Sequence, residues 1–574
     1  MTLKNVAIMP DKNVDVVIIG GGLAGLTLAL QLKLAKQDIR LVVLEKRTDI
    51  APNTAFKIGE SSSELGSIYL LDKLNLKQDL DAKHLTKIGT RFFVKSEDKP
   101  GIAQRVEIGP EIVKLQQTMH VDRGVLENQL VELVQERGID LILGAKVTDA
   151  SIGNKSHSIT YTNNREQITI QSTWVVDSSG RNGVLKKTLG LTKILDHTVN
   201  AVWFRLDGVI DIDNWLKNNL WMKHLENRKR RLSTNHLMGK GYWIWIIPLK
   251  NGKTSIGIVA DPNFHPFDDF NTLEKAKSWF ALNEPLASEE FSKHHDSILD
   301  FKVMKSFSHD CKQFYSSKGW ALTGDAGAFL DPLYSPGLDF IGLGNTWITD
   351  LVTRDLNAEK IDLRSLVYEL THRELLNGWS KVYKGMYGLL GKPQIMVMKT
   401  AWDWATYWAI PNVMFVNDGY IDLDIIREYS DAEDGLGSRF ALINEVTQQL
   451  FRAWSDSEFS GDDKTYFNLF DLQCLYDFQT NLNDTFSGKE LTQKIKSNLS
   501  ILEQMSAEMF KYALNHKHNN AFLNMETNPY TMTLTDSPYE LIEKSKRPNK
   551  IKVTTQMKQD VAKLWFTSTR IVSV

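Results

Sequence analysis

The sequence predicts an α/β fold with an inserted antiparallel sheet and a C-terminal helical domain, and three observations carry this. An apolar run, Asp15-Val16-Val17-Ile18-Ile19, meets Gly20, Gly21, Gly22 and Gly25 and then a helical pattern from Leu26 to Leu32. Two later apolar runs end in the same way, Val175-Val176-Asp177-Ser178-Ser179-Gly180 and Trp320-Ala321-Leu322-Thr323-Gly324-Asp325. Between Ala201 and Asp261 the texture turns strand-like, and from about Arg354 it turns helical. The 574 residues suffice for two or three cores, since single cores stop growing at about 250–300 residues.

Taken in order, the first run is a short buried strand, and the glycines form a GxGxxG turn into a helix. Gly20, Gly22, Ala24 and Gly25 let backbone approach a pyrophosphate, and the helix start offers free N–H groups with a positive dipole end. A second strand, Ile39 to Leu44, ends at Glu45, whose carboxylate is placed to accept ribose hydroxyl bonds, with Lys46 beside it. This Rossmann-like pattern predicts a dinucleotide. Leu126, Leu130 and Leu133 mark a helix that Arg123 opens, near the ligand.

Composition excludes several classes. The formal net charge of −2 gives no electrostatic case for nucleic acid. Two cysteines, Cys311 and Cys474, make neither a disulfide framework nor a zinc cage, so no metal site is expected and a reducing cytoplasm fits. No stretch reaches the ~20 apolar residues that span a bilayer. Residues Met1 to Asn13 are mixed and polar, without a signal-peptide pattern.

Three further motifs carry chemistry. Lys57-Ile58-Gly59-Glu60-Ser61 is a glycine turn, and Lys87 leads into the apolar strand Arg91-Phe92-Phe93, with its stem among hydrophobes. Trp243-Ile244-Trp245-Ile246-Ile247-Pro248 alternates as a strand with both indoles on one face. Phe329-Leu330-Asp331-Pro332-Leu333-Tyr334-Ser335-Pro336-Gly337-Leu338 follows Gly324-Asp325-Ala326. Two prolines fix φ there, and Gly337 is expected to take a conformation closed to other residues. Amides from Ser335 to Leu338 would then form a nest for a small anion.

From Asp15 to about Asp355 these motifs, in this order, resemble the FAD-dependent aromatic hydroxylases, an FAD-binding Rossmann-like fold of the glutathione-reductase type. Within that group WxWxIP, FxxPxxSxG and the Gly-Glu-Ser turn are similar to the flavin-dependent halogenases. The resemblance implies an enzyme that uses reduced FAD, dioxygen and chloride or bromide to halogenate an aromatic ring through hypohalous acid. Lys87 is then the catalytic lysine. Gly20, Gly22, Ala24, Gly25, Glu45, Lys46, Arg123, Asp325, Gly337 and Leu338 hold FAD, and Ser335, Gly337 and Leu338 hold halide. Trp243, Trp245, Phe329, Pro332 and Tyr334 belong to the motifs that keep substrate off the flavin. Tryptophan-type relatives carry Glu where Tyr334 stands, which implies a phenolic or pyrrolic substrate, free or tethered to a carrier protein. No reductase domain is visible, so a separate flavin reductase is implied. The rivals on the same fold are an NAD(P)H-dependent hydroxylase and a lipid-binding prenyl-protein escort factor.

The expected organisation is an FAD-binding domain over 1–200 and 300–355, an inserted substrate-side sheet over 201–299, and a mainly helical domain over 356–574. Leu363, Leu366 and Leu370 begin its first helix. Trp402, Trp404, Tyr407 and Trp408 would either clasp a flat ring or fill a helical core. Asn515 to Arg547, polar with two prolines, is expected as loops and surface segments.

Overall fold

The computed structural model describes residues 13–49, 57–96, 101–110, 116–217, 221, 230–430, 435–454, 465–548 and 551–565. The polar stretch before Asn13 lies outside them. The chain forms two compact units. The first comprises Met1–His84, Val121–Asp196 and Ser308–Glu374; the second comprises Leu85–His120, His197–Phe307 and Leu375–Val574.

The first unit is built on strands Asn13–Ile19, Leu41–Glu45, Asp140–Leu143, Glu166–Asp177 and Trp320–Leu322, paired in parallel. The strands Asn13–Ile19 and Leu41–Glu45 are nearly continuous Val, Ile and Leu because both faces are covered. Ile19 lies opposite both Leu44 and Asp177, and Asp177 lies opposite Leu322. Three strands therefore end level, and Gly20, Ser178 and Thr323 leave one edge together. In open α/β sheets ligands bind outside that carboxyl edge. An antiparallel pair, Lys146–Ile152 and His157–Asn163, hangs from the long strand Glu166–Asp177.

The second unit holds an eight-stranded sheet. Its spatial order is Ile298–Met304, Asn200–Leu206, Thr254–Ala260, Tyr242–Pro248, Thr234–Gly239, Thr90–Val94, Val106–Ile108 and Tyr466–Phe467. The antiparallel sheet was expected from 201–299 alone, yet three of its strands come from elsewhere. Thr90–Val94 pairs in parallel with Thr234–Gly239, and Tyr466–Phe467 adds to the far edge. Ladder hydrogen bonds thus place residues 85–120 in the second unit and join its sheet to a strand from the C-terminal part of the chain. Glu107 reinforces the join. Its carboxylate accepts from the buried guanidiniums of Arg91 at 2.6 Å and Arg230 at 2.9 Å.

The helices of this unit include Pro393–Tyr407, Leu436–Trp454 and the 30-residue Gly488–Lys517. The aromatic cluster is core here. Trp402 is buried and donates to Asn444, and Trp408 stacks on Phe470 at 5.8 Å. The stretch expected as loops from Asn515 carries the end of the long helix and a second helix, Pro538–Ser545, started by a Ser537–Glu540 capping box.

Helix Asp362–Tyr383 has the expected leucine spacing on the opposite face. Leu363, Leu366 and Leu370 are 62%, 56% and 60% exposed, while Tyr368, His372 and Leu376 are buried. Spacing alone fits either face when both carry large residues. No helix among the described residues is long and apolar enough to cross a membrane.

Candidate active site

At the carboxyl edge of the first unit the glycines divide by what surrounds them. A Cβ at Gly20 would lie 2.6 Å from Ser178 O, one at Gly21 2.8 Å from Glu45 Cβ, and one at Gly25 2.1 Å from Gly20 O. These three pack against the protein itself. Gly22 differs: its nearest neighbour would be Lys57 Nζ at 3.9 Å. Gly22 is also the N-cap of helix Leu23–Ala35 and supplies no side-chain cap. The first amides of that helix have no intrahelical acceptor and face an open side. An open glycine face beside unpaired helix amides has the chemistry to accept a diphosphate.

Charged groups frame the turn. Glu45 Oε2 accepts the Gly21 N–H at 2.7 Å, and Arg47 bonds both Glu45 and the Gly21 carbonyl. The Glu45 carboxylate thus fixes the turn. Lys46, expected as a ligand, is exposed; the strand end turns Arg47 inward instead. Arg123 starts helix Arg123–Glu136, capped by Asp122. Its guanidinium donates to Ile58 O at 2.7 Å and to Glu127 Oε1 at 2.9 Å. The Gly59 turn needs its glycine, with φ +92 and Arg123 Nη1 2.8 Å from the Cβ position. Burial pushes the Glu127 carboxyl up, but Arg123 and Lys57 outweigh it and hold it below its ordinary value.

The second and third strand ends close the site. Asp177 accepts from the Ser179 and Leu185 amides. Gly324, at φ +58, brings the Gly324-Asp325-Ala326 turn against Ala24, whose Cβ would lie 3.0 Å from a Cβ at Gly324. Burial raises the Asp325 carboxyl above its ordinary range, against the pull of His309, Arg123, Arg181 and Lys186. One buried amide ties these parts together. The Asn345 Nδ2, with two N–H groups to share, lies within 3.1 Å of Ala24 O, Thr27 Oγ1 and Tyr69 Oη, and its Oδ1 accepts from Thr323 Oγ1 at 2.7 Å.

The segment 329–338 corrects the sequence reading. Gly337 has no left-handed φ; it is the first residue of helix Gly337–Leu356, exposed, with nothing within 4 Å of its Cβ position. The left-handed pair is Tyr334 at φ +68 and Ser335 at φ +63. Two consecutive non-glycine residues there store strain of about 1–2 kcal/mol each. The Ser335 amide, expected to face an anion, donates to Pro332 O at 2.9 Å and closes the loop on itself. Gly337 and Leu338 contribute the first two amides of a 20-residue helix, where no intrahelical acceptor exists. Asp339, two residues past Gly337, accepts from the Gly66 amide at 2.9 Å and from the Ser63 hydroxyl, locking the segment after Gly59-Glu60-Ser61 in place. Phe329 bridges to His309 through paired backbone bonds of 2.9 Å.

In the second unit Lys87 ends the short strand Leu85–Lys87, which pairs antiparallel with Thr118–His120. Lys87 is 5% exposed. It shares a ribbon face with His120, its diagonal neighbour. Burial and the Lys87 charge hold His120 well below its ordinary value, and burial with Lys87 also draws His236 down to about 3. Both imidazoles are therefore neutral near pH 7. His236 packs on Trp243 at 5.6 Å.

Trp243 and Trp245 share a face, with rings 5.9 Å apart, and the alternate residues Tyr242, Ile244 and Ile246 fill the core on the other. Trp245 lies opposite Gly257, where a Cβ would stand 2.2 Å from the indole, so the glycine lets the ring lie flat on its neighbour. Trp243 donates to Tyr387 Oη and Trp245 to Ser255 Oγ. Arg47, Glu127, Asp339, Asn345, His120 and His236 were not singled out from sequence. Of these, Glu127, four residues after Arg123, had a signal in helical i,i+4 charge spacing.

The chain matches the FAD binding domain family over residues 13–269. It is 26% identical over 470 residues to a flavin-dependent halogenase of Dictyostelium discoideum, covering 75% of each chain. It is 23% identical to the 1H-pyrrole-2-carbonyl-(peptidyl-carrier protein) chlorinase of Pseudomonas fluorescens, over 78% of this chain and 96% of that one. Among solved structures, halogenase PltM in complex with phloroglucinol and FAD superposes with a TM-score of 0.59 at 14% identity, covering 88% and 98% of the two chains. A flavoprotein of Cytophaga hutchinsonii gives 0.55 at 20% identity, covering 68% and 88%.

The fold and the glycine cradle define an FAD-binding flavoenzyme, and the open Gly22 face, the uncapped helix amides and the surrounding cations fit that cofactor. Within that class the chain is similar in sequence to flavin-dependent halogenases.

Proposed function

We propose that this enzyme halogenates an electron-rich phenolic or pyrrolic ring, with Lys87 as the group that handles the electrophile. The observation that carries the reading is a buried lysine flanked by two neutral imidazoles. Bound FAD, in the reduced form delivered by a separate flavin reductase, supplies the electrons with which dioxygen and halide give hypohalous acid. The amides of Gly337 and Leu338 hold halide. The Lys87 ammonium orients hypohalous acid by hydrogen bonding, or its neutral amine takes up the halogen and releases water. In either case the ring carbon gains halogen and loses a proton.

Tyr334 supports the substrate class. It stands where tryptophan-type halogenases carry Glu, and a phenol or pyrrole stabilises the cationic intermediate without a strong base nearby. Relatives named as a pyrrole-2-carbonyl-carrier chlorinase, a corresponding brominase and a sulochrin halogenase agree with that class. The substrate is a free ring or one tethered to a carrier protein, and the halide is chloride or bromide.

The test supplies FAD, a flavin reductase, NADH, air and halide to the enzyme with phenols, pyrroles, carrier-tethered pyrroles and free tryptophan. Products are read by mass. Halogenated phenol or pyrrole is expected. Preferred halogenation of tryptophan, or hydroxylation in place of halogenation, would overturn the reading. Lys87→Ala should lose far more than tenfold of the product, beyond about 1.4 kcal/mol, while still binding FAD. A variant with half the wild-type product would remove Lys87 from this role.

A further inference from the structure

Three cations, Lys57, Arg47 and Arg123, gather beside Glu127 and Glu45 at the glycine turn. Glu127, 1% exposed, already has the Arg123 guanidinium at 2.9 Å. It does not need Lys57 for neutrality. Yet Lys57 Nζ lies 2.5 Å from Glu127 Oε2, and its side chain is 41% exposed. The same ammonium is the nearest atom to the Cβ position of Gly22, at 3.9 Å. Among the described residues, Gly22 is the one glycine of the turn whose face is open. Burial, with Arg123 and Arg47 alongside, pulls the Lys57 ammonium below its ordinary value against the Glu127 charge, so an added anion would be welcome there.

We propose that Lys57 is a side-chain ligand of the FAD diphosphate, held at the open face of Gly22 by Glu127. The helix amides bind that group through fixed dipoles, and Lys57 adds a full charge on a flexible stem. The ammonium moves its hydrogen bonds from Glu127 to phosphate oxygens, leaving Glu127 to Arg123. This assigns Lys57 to the diphosphate end of FAD and not to the isoalloxazine. It rests on the FAD-binding assignment alone.

The test is an equilibrium titration of the full-length protein with FAD, with riboflavin, which carries the same ring and no phosphate, and with ADP as a competitor. Wild type, Lys57→Met and Lys57→Arg are compared, with circular dichroism to confirm folding. Lys57→Met should weaken FAD and ADP by tenfold or more and leave riboflavin within twofold. Its FAD affinity should also depend less steeply on salt, and Lys57→Arg should recover most of the loss. An FAD loss below tenfold, or an equal loss for riboflavin, would overturn the proposal. Failure of the wild type to bind FAD would instead count against the cofactor assignment.

Discussion

Gly22 and Gly25 sit three residues apart in one turn, and the structure assigns them opposite tasks. Gly22→Val places a branched side chain on the open face, where its only near neighbour among the described residues is the movable Lys57 ammonium. Its backbone, at φ −93 and ψ −172, is extended and suits valine. Folding stability should therefore stay within about 0.5 kcal/mol of wild type, as for substitutions away from packed features. The cofactor loses its approach to the amides of Leu23 and Ala24. Two hydrogen bonds to a charged group are worth about 1.5–3 kcal/mol each. Together they set a loss of roughly 10²- to 10⁴-fold in FAD affinity. Gly25→Ala is the contrasting change. Its methyl would stand 2.1 Å from Gly20 O and 2.5 Å from Ser178 Oγ, both in the rigid edge of the sheet. Overpacking of this kind costs about 3 kcal/mol. Urea denaturation and flavin-fluorescence titration on both variants give the comparison. A Gly22→Val protein with wild-type FAD affinity, or a Gly25→Ala protein with wild-type stability, would refute the division of labour.

The remaining predictions concern strain and charge. Ser335→Gly relieves one left-handed residue at φ +63 and keeps the amide bond to Pro332. It should raise stability by about 0.5–1 kcal/mol after the entropic cost of glycine, and a drop of similar size in urea denaturation would show that the serine hydroxyl outweighs the strain. Asp213 is raised from 3.8 to about 6 by burial and by Asp211, against Arg230. A raised folded value means the contribution is fully present below pH 4 and lost as pH rises through 6. Asp213→Asn should match wild type near pH 4 and exceed it by about 1–2 kcal/mol at pH 7.5; a difference constant across pH would exclude this account.

What the sequence made legible is the part built from local patterns. The glycine turn, its strand and its helix follow from apolar runs and a spacing that occurs within thirty or so residues. The Trp243–Trp245 face follows from simple alternation. The residues it hid depend on distant partners or on ambiguous faces. Arg91, Glu107 and Arg230 form one buried ion cluster, yet Glu107 and Arg230 are 123 residues apart. Lys46 and Arg47 are equivalent as letters after a strand, and only the end of the ladder decides which turns inward. Left-handed backbone is usually marked by glycine. In the segment 329–338 Tyr334 and Ser335 carry it, and Gly337 beside them does not. The leucines of helix Asp362–Tyr383 show the same weakness, since a 3.6-residue period fixes a face without saying which side is solvent.

Asn345 sets a condition on how the protein is made. The amide that joins Ala24, Thr27, Tyr69 and Thr323 is itself 318 residues downstream of Thr27. The first strand, glycine turn and helix leave the ribosome long before the group that completes their surroundings. At a synthesis rate of about 5–20 residues per second, that wait is roughly 15–65 seconds. During it, the apolar helix Leu23–Ala35 lacks one of its two main helix neighbours, Gly337–Leu356, and the cradle is not closed. A nascent chain halted before residue 345 should be a protease-sensitive chaperone client that retains no flavin, and the same chain extended past the helix Gly337–Leu356 should acquire both protection and colour.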